Sequence, residues 1–178
     1  PPRPVWSQSP ERPHVPAPLW RQTAHARWPS RPGAPDENFA REIMELFTLG
    51  KGSNSQYSQP DVIEAAKVLT GWRVQNLNTP NPTTEFVPNK HDDSTKQFSP
   101  FFNNTTINSG GAQELDDFID MIFSKSEVVS QYICRRLYRF FVYYDIDPYI
   151  ETNVIEPLAQ HFVANNWDIL PYESERLL

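Results

Sequence analysis

The sequence predicts a mainly α-helical, bundle-like domain of about five helices with an irregular insertion at about residues 72–111. Apolar residues recur with helical spacing in five stretches, each bounded by residues that favour helix ends. The insertion contains turn-forming residues and short strand-like pieces instead. With 178 residues, 38% of them apolar, the chain is long enough to bury a hydrophobic core.

The first two predicted helices each carry their own start and stop signals. Asp36 suits the N-cap of the first helix, and Gly50 suits the left-handed position after its end. The second helix opens with Ser58-x-x-Asp61, a capping-box pattern, and ends at Gly71. The apolar stripe predicted for the first helix consists of Phe39, Ile43, Leu46 and Phe47.

In the insertion, apolar residues do not recur at a regular spacing. Residues 72–74 and 85–87 predict two short strands, and the polar, turn-rich run between them favours a hairpin. Residues 99–111 are predicted to form a loop that two glycines close. A long irregular region inside a compact domain is unusual and often functional.

Three more helices follow the insertion, at about residues 112–124, 127–144 and 148–166. Pro157 predicts an interruption of the last one, because proline lacks the N–H group of the helical ladder. In the third helix the predicted inward residues are Leu115, Phe118, Ile119, Ile122 and Phe123. In the fourth helix they are Val129, Ile133, Leu137, Phe140, Phe141 and Tyr144.

The sequence also predicts the roles of two individual residues of the fourth helix. Cys134 is predicted to be a packing residue, since it is the one cysteine of the chain and has no assigned basic neighbour. Arg136 lies at the edge of the apolar face, where we expect it to pair with Glu42 or Glu45.

The composition changes sharply near residue 35. Residues 1–35 hold ten of the 18 prolines and three of the five tryptophans, with five arginines and one acidic residue. So much proline predicts a disordered or extended N-terminal segment ahead of a helical domain at 35–178. The whole chain nevertheless carries a net charge of −6, so the helical domain is strongly acidic, which argues against a nucleic-acid partner.

Residues 1–34 contain no Lys, Ile, Asn or Tyr, all of which are frequent in the rest of the chain. This contrast is typical of translation in a wrong reading frame or of a gene-model artefact. A plain tail and a proline-rich ligand for an aromatic groove are the alternative interpretations. No signal peptide and no apolar stretch of membrane-spanning length is recognisable.

Several motifs of the chain occur in the same order in one known family. The helix pair reads DENFAREIMELFTLG and YSQPDVIEAAKVLTGW, and HDDSTKQF, GGAQELDDFIDMIFS and YICRRLYRFFVYY follow it. Over about residues 34–171 the chain resembles the C-terminal portion of the bacterial domain of unknown function 1800 family, especially Bacteroidetes-like members. It departs from that pattern at Asp36, where the family usually has Asn.

The resemblance implies a mostly helical domain of an exported bacterial protein, periplasmic or extracellular, with no established activity. Family members are usually several hundred residues long. We therefore expect this chain to be a fragment that lacks the N-terminal part of its parent, with the helix that opens near Asp168 cut short.

The densest polar constellation lies on the first helix and in the central loop. Asn38, Glu42 and Glu45 share one helix face, and His91 and Asp92 lie in the loop. Two carboxylates and an imidazole suit a divalent metal or acid–base chemistry, so Glu42, His91 and Asp92 are the candidate catalytic or metal-binding residues. The candidate binding residues are Asn38, Arg41, Glu45 and Trp72.

Three functions remain open at this level. The first is a structural or interaction domain, in which the polar residues form a buried network with Arg41 or Arg136 neutralising Glu42. The second is a metal-assisted or acid–base hydrolase that acts on an extracellular substrate such as a glycan. The third is a carbohydrate-binding module that uses Trp72 and Tyr57 as stacking platforms. No cofactor is implied beyond that divalent metal, and the expected partner is a protein or a glycan outside the cytoplasm.

Overall fold

The computed structural model describes residues 35–51, 55–76 and 79–168. The expectations for residues 1–34 and for the end of the chain after Asp168 lie outside the described residues. The described part is mainly helical, as predicted, with two small antiparallel sheets.

The elements follow one another in this order: α1 (Glu37–Glu42), a first π-helical segment (Ile43–Thr48), α2 (Gln59–Val68), β1 (Trp72–Gln75), β2 (Thr83–Phe86), β3 (Lys96–Gln97), β4 (Thr106–Ile107), α3 (Gln113–Phe123), α4 (Ser126–Phe141), α5 (Pro148–Ile150), a second π-helical segment (Glu151–Ile155) and α6 (Glu156–Ala164). Because both π-helical segments continue the helix before them, the described residues contain five continuous helical stretches, the predicted number.

Helix α1 begins as predicted, but its apolar face differs from the prediction. The Asp36 carboxylate accepts a hydrogen bond from the Phe39 N–H at 3.0 Å, which is the expected N-cap. Beyond Glu42 the chain forms π turns, with the Leu49 N–H donating to the Met44 carbonyl five residues earlier. The extra residue in the turn rotates the following side chains by roughly 100°.

Because of this rotation, half of the predicted apolar stripe does not face the core. Phe39 and Ile43 pack against the core, but Leu46 and Phe47 are exposed. Met44, Thr48 and Leu49 are buried in their place. The prediction assumed an uninterrupted α-helix, and the π-helical segment changes which face of the sequence turns inward.

Helix α2 confirms its sequence signals. The Ser58 N–H donates to the Asp61 carboxylate at 2.7 Å, and the capping box is complete. The helix ends at Val68, and Gly71 lies in the following turn with a φ of +82°. The core-facing residues of α2 are small or medium-sized, which lets the neighbouring elements approach closely; the buried ones are Val62, Ala65, Ala66, Val68 and the following Leu69.

The insertion is more ordered than predicted. Strands β1 and β2 pair antiparallel, with Trp72 opposite Phe86, and form the expected hairpin. A second sheet pairs β3 with β4, and β4 lies within residues 99–111, which were predicted to be only a loop. Phe98 and Phe102 are buried and in ring contact with each other at 5.6 Å between centroids. Aromatic burial therefore fixes a segment in which the sequence showed no regular period.

Helix α3 buries the predicted face, whereas α4 does so only in its first turns. Phe118 and Ile122 of α3 are buried. In α4, Val129 and Cys134 are buried, which confirms Cys134 as a packing residue. The helix ends at Phe141, and the residues predicted to be inward beyond Leu137 are exposed; they are Phe140, Phe141 and Tyr144.

The last helical stretch continues without a break through Pro157, where an interruption was predicted, and π turns precede the proline instead. The π-helical segment ends directly before α6, in which Pro157 occupies the first turn. Ile155, Ala159 and Phe162 form a second, smaller core cluster with Cys134 of α4. No helix in the described ranges is both long and apolar enough to cross a membrane.

Candidate functional site

A polar network, consisting of Thr70, His91, Asp92, Lys96 and Glu114, joins the end of α2, the insertion and α3. His91 follows a short 3₁₀ turn (Pro88–Lys90), Lys96 begins β3, and Glu114 lies in the first turn of α3. Lys96 and Glu114 are fully buried, and His91 is nearly so. Charged side chains are rarely buried unless they are paired, so this network is the most unusual chemistry in the described fold.

Glu114 is the centre of the polar network. Its Oε1 accepts hydrogen bonds from the N–H groups of Gly110 and Gly111 at 2.9 and 3.2 Å and lies 2.9 Å from His91 Nε2. Its Oε2 lies 2.6 Å from the Lys96 ammonium. Burial by itself raises the pKa of Glu114, but the hydrogen bonds from Lys96, Gly110 and His91 outweigh burial and hold that pKa below its ordinary value. The carboxylate is therefore ionised at neutral pH, with the Lys96 ammonium as its counter-charge.

His91 is enclosed by acceptors on both sides of its ring. Nε2 donates to the Glu114 carboxylate, because an ionised carboxylate can only accept. Nδ1 lies 2.9 Å from the Thr70 carbonyl oxygen and 3.2 Å from its hydroxyl. The side chain is only 4% exposed and stacks edge-on to Phe86. Both ring nitrogens are thus committed inside the fold.

Asp92 orders the turn that follows His91. Its N–H donates to the Thr70 hydroxyl at 2.7 Å, its Oδ1 accepts from the Ser94 N–H at 3.0 Å, and its carbonyl accepts from Lys96. Burial acts to raise the pKa of Asp92, but the Ser94 hydrogen bonds and the positive charge of Lys96 give a net lowering. These contacts are typical of a turn-stabilising aspartate.

The structure brings His91 and Asp92 together but leaves Glu42 outside the polar network. Glu42 is exposed on α1, where Asn38 donates to it at 2.9 Å. No hydrogen bond or ion pair between described residues joins Glu42 to His91 or Asp92. Within residues 35–51, 55–76 and 79–168, no three His, Cys, Asp or Glu side chains are grouped closely enough to hold a metal ion.

The remaining candidates on α1 make contacts at the surface. Arg41 lies 3.8 Å from Glu45 and donates to Gln59 of α2. Glu45 also lies 3.5 Å from Lys51. Only the Arg41–Gln59 hydrogen bond links the first two helices, because both ion pairs join residues between positions 41 and 51. Single ion pairs near the surface contribute little to stability.

Arg136 does not pair with Glu42 or Glu45, as the sequence had suggested. Its guanidinium donates to the Leu46 carbonyl at the end of the first π-helical segment. Tyr132 donates to the carbonyls of Glu45 and Leu46 at 2.8 and 3.1 Å. The π turns leave carbonyl oxygens without helical partners, and side chains of α4 satisfy them.

Trp72 and Tyr57 are both only partly exposed. Trp72 packs against Phe86 with 5.3 Å between ring centroids, and its Nε1 is buried without a partner among the described residues. Tyr57 donates to the Gly50 carbonyl at 3.2 Å, and burial raises its pKa to about 12. Each ring is thus partly covered by its neighbours.

Sequence reasoning missed Glu114, Lys96 and Thr70. Glu114 had one detectable signal, since two glycines followed at a short spacing by Glu are typical of a carboxylate that caps its own helix start. Lys96 and Thr70 carried none, because their burial depends on segments distant in the chain.

A second unusual feature is the aromatic surface at the end of α4, residues 140–144. It consists of Phe140, Phe141, Val142, Tyr143 and Tyr144, all between 55% and 80% exposed. The rings contact one another in sequence-adjacent pairs, Phe140 with Phe141 and Tyr143 with Tyr144. Five consecutive exposed apolar or aromatic side chains form a contiguous patch rather than scattered single residues.

Comparison with known proteins gives one match. The model of a family described as "Protein of unknown function (DUF1800)" matches residues 26–174, which is most of the chain. The match begins inside the proline-rich segment and covers every described element. No curated protein and no solved structure matches the chain.

Proposed function

This chain belongs to the DUF1800 family of proteins of unknown function, and we propose that it is an interaction domain of an exported bacterial protein that associates with a second copy of itself through the aromatic surface. Export rests on the family resemblance, and association rests on the structure of α4 and its surroundings. The single observation that carries the proposal is the exposure of residues 140–144.

Exposed apolar residues are normal when they stand alone, whereas a contiguous exposed patch usually marks a place where another surface binds. Phe140 is 80% exposed and Tyr144 is 73% exposed. Aromatic side chains are also enriched at the centres of protein interfaces, where they bury large areas. The aromatic surface therefore has the composition of an interface core.

The first π-helical segment extends this surface on one side. Arg136 holds the Leu46 carbonyl, and Phe140 lies one helical turn further along the same face of α4. Leu46 and Phe47 are themselves exposed. Two elements thus contribute apolar side chains to neighbouring parts of one surface.

The charges around the aromatic surface favour a second copy as the partner. Arg139 precedes residues 140–144 and Asp145 follows them, and neither forms an ion pair with another described residue. A basic end and an acidic end on the two sides of an apolar centre make a self-complementary patch. In an antiparallel, two-fold arrangement Arg139 of each copy faces Asp145 of the other.

No observation favours the enzymatic or carbohydrate-binding alternatives. An acid–base role for His91 needs a ring nitrogen that a substrate can reach, but both nitrogens lie inside the polar network. Glu42 has an exposed carboxylate, and neither of the two histidines in the described residues makes a hydrogen bond or ion pair with it. Stacking on sugars favours exposed aromatic faces, and Trp72 and Tyr57 are both only partly exposed.

Sedimentation equilibrium of the full chain between roughly 1 and 200 μM tests the proposal. We expect a concentration-dependent monomer–dimer equilibrium, and we expect Phe141→Ser to shift it to monomer by placing a hydroxyl in the apolar centre. Leu158→Ser is the matched control, because Leu158 is exposed on α6. If the unsubstituted chain stays monomeric over the whole concentration range, the proposal is wrong. The partner of this surface would then be another segment of a longer protein that contains this chain.

A charge exchange tests the two-fold arrangement. Arg139→Asp and Asp145→Arg should each weaken the dimer, because each brings like charges together across the two-fold axis. The double variant should restore association to near the parental level, since it rebuilds both ion pairs in reverse. If the double variant is as weak as the single variants while Phe141→Ser still gives monomer, the partners do not lie antiparallel.

A further inference from the structure

A groove of about 550 Å³ lies between α4 and α6. This volume falls within the roughly 300–1,000 Å³ that is usual for small-molecule sites. Every residue of the groove wall belongs to one of these two helices: Ser126, Glu127, Ser130 and Gln131 of α4, and Glu156, Ala159, Gln160, Val163 and Ala164 of α6. The groove is separate from the polar network and from the aromatic surface, because none of their residues lines it.

Small side chains keep the groove open. Ser130 and Ala159 are each 2% exposed and form its floor. The second core cluster holds α4 and α6 together beside this floor, so the helices keep the groove between them. Some of the lining residues are exposed, which leaves the groove accessible from solvent; these are Glu127, Gln160 and Ala164.

The groove is acidic and has no cation in its wall. Glu127 lines it from α4 and Glu156 lines it from α6. No Lys, Arg or His is among the described lining residues. Neither carboxylate forms an ion pair with another described residue, and the Glu156 carboxylate, although only partly exposed, makes no hydrogen bond with one either. Two negative charges that line one groove repel each other unless a counter-charge lies between them.

The nearest arginine of α4 does not supply that counter-charge. Arg135 is occupied by Glu151, to whose two carboxylate oxygens its Nε donates at 2.9 and 3.0 Å. Arg135 also donates to the side-chain oxygen of Gln131 at 2.9 Å. The amide nitrogen of Gln131 lies 3.4 Å from Glu127 Oε1, so a neutral group is the only described partner of that carboxylate. The groove therefore keeps its negative charge.

The lining suits an organic cation better than a metal ion. Two carboxylates are too few for a metal site, and no three His, Cys, Asp or Glu side chains in the described part of the chain are grouped closely enough to hold a metal ion. Ala159, Val163 and Ala164 also give the groove an apolar part. An alkyl chain with a charged end packs its stem on such a surface and keeps its charge beside polar groups.

We propose that this groove binds a short aliphatic diamine, with one ammonium group beside Glu127, the other beside Glu156 and the methylene chain against the apolar part of the wall. Helices that pack against each other, as α4 and α6 do, have axes about 8–10 Å apart, and a diamine with a short alkyl chain matches this scale. The site goes beyond self-association through the aromatic surface and does not depend on it.

The test compares three probes that have the same four-carbon stem and differ in charge. Diaminobutane has an ammonium group at each end, butylamine has one, and butanediol has a neutral hydroxyl at each end. Each is titrated into the full ¹⁵N-labelled chain at neutral pH and one low ionic strength, so that salt does not screen the ion pairs. The backbone amide signals of Ala159 and Ala164 report binding, because both residues line the groove.

We expect diaminobutane to shift these signals in a saturable manner and to bind roughly fivefold more tightly than butylamine, because it forms a second ion pair near the surface. Butanediol should leave the signals unchanged. Glu127→Gln and Glu156→Gln should each weaken diaminobutane binding by roughly fivefold. Asp117→Asn is the matched control: it removes one negative charge from an exposed position of α3 outside the groove, and it should leave the affinity unchanged.

Four results would overturn the proposal. The first is the absence of a saturable shift with diaminobutane at millimolar concentration. The second is equal affinity for diaminobutane and butylamine, and the third is unchanged diaminobutane affinity in Glu127→Gln or in Glu156→Gln. The fourth is an equal loss of affinity in Asp117→Asn, since the diamine would then respond only to the net charge of the chain.

Discussion

His91 Nε2 lies 2.9 Å from Glu114 Oε1, so an imidazole of the insertion is tied directly to the first turn of α3. The same carboxylate holds the Lys96 ammonium of β3 through its other oxygen. Two elements of an irregular region are thus fixed to a helix by one buried carboxylate. The irregular region depends on this pairing because its strands contain only two to four residues each.

Replacing Glu114 should destabilise the fold strongly. Glu114→Gln removes the nearer of the two carboxylates beside the buried Lys96 ammonium and leaves only Asp92, at 4.0 Å. We expect the free energy of unfolding to fall by about 3–5 kcal/mol. Urea denaturation followed by circular dichroism measures the loss. The double variant Glu114→Gln/Lys96→Met removes both charges and should recover a large part of it. A double variant that is less stable than Glu114→Gln alone would contradict the role given to the ion pair.

Acid should destabilise the protein through the same carboxylate. The pKa of Glu114 is lower in the folded protein than its ordinary value of 4.5, so the unfolded chain binds a proton more readily than the folded one. The contribution of Glu114 to stability is therefore complete above pH 4.5 and is lost as the pH falls through the lower folded-state pKa. The stability difference between the parent and Glu114→Gln should be constant from pH 7 to 5 and shrink below pH 4.5. A difference that stays unchanged down to pH 3 would argue against a lowered pKa.

Because of the first π-helical segment, we predict that substitutions of two apolar residues change the free energy of unfolding by very different amounts. Met44 is buried and Phe47 is 64% exposed, although an uninterrupted helix would turn Phe47 inward. Met44→Ala should lower the free energy of unfolding by about 2–5 kcal/mol, because it opens a cavity in the core. Phe47→Ala should change it by no more than about 0.5 kcal/mol. Both are measured in the Phe141→Ser background, so that self-association does not contribute. Equal costs for the two substitutions would indicate an ordinary α-helix.

Gly50 is predicted to tolerate no side chain. Its φ is +83°, and a Cβ atom there would lie 2.8 Å from Cδ2 of the Tyr132 ring. Gly50→Ala should therefore cost about 2–4 kcal/mol, from the left-handed backbone and from the displaced ring together. Gly110→Ala is the matched control, because the nearest atom to a Cβ there, the Asn108 carbonyl oxygen, is 3.6 Å away. The melting temperatures of both variants are measured by thermal unfolding. Similar melting temperatures would contradict the close contact with Tyr132.

The sequence predicted the local features of the helices correctly. The Asp36 cap and the capping box of Ser58 and Asp61 both appear where predicted. Each of these depends on interactions within one turn of chain, so residue type and spacing are sufficient to predict it. The number of helical stretches and the β1–β2 hairpin followed from the same kind of local signal.

The sequence by itself therefore determined where the described helices begin, and also the family to which the chain belongs. Tertiary structure alone decided which faces are buried. One extra residue in the π turns exposed Phe47, and no described element covers Phe140 beyond the middle of α4. It also decided that His91 binds Glu114 rather than Glu42, because the two residues are 23 positions apart and meet only when the insertion folds onto α3. Burial and long-range pairing depend on where other segments lie, and periodicity within one segment does not contain that information.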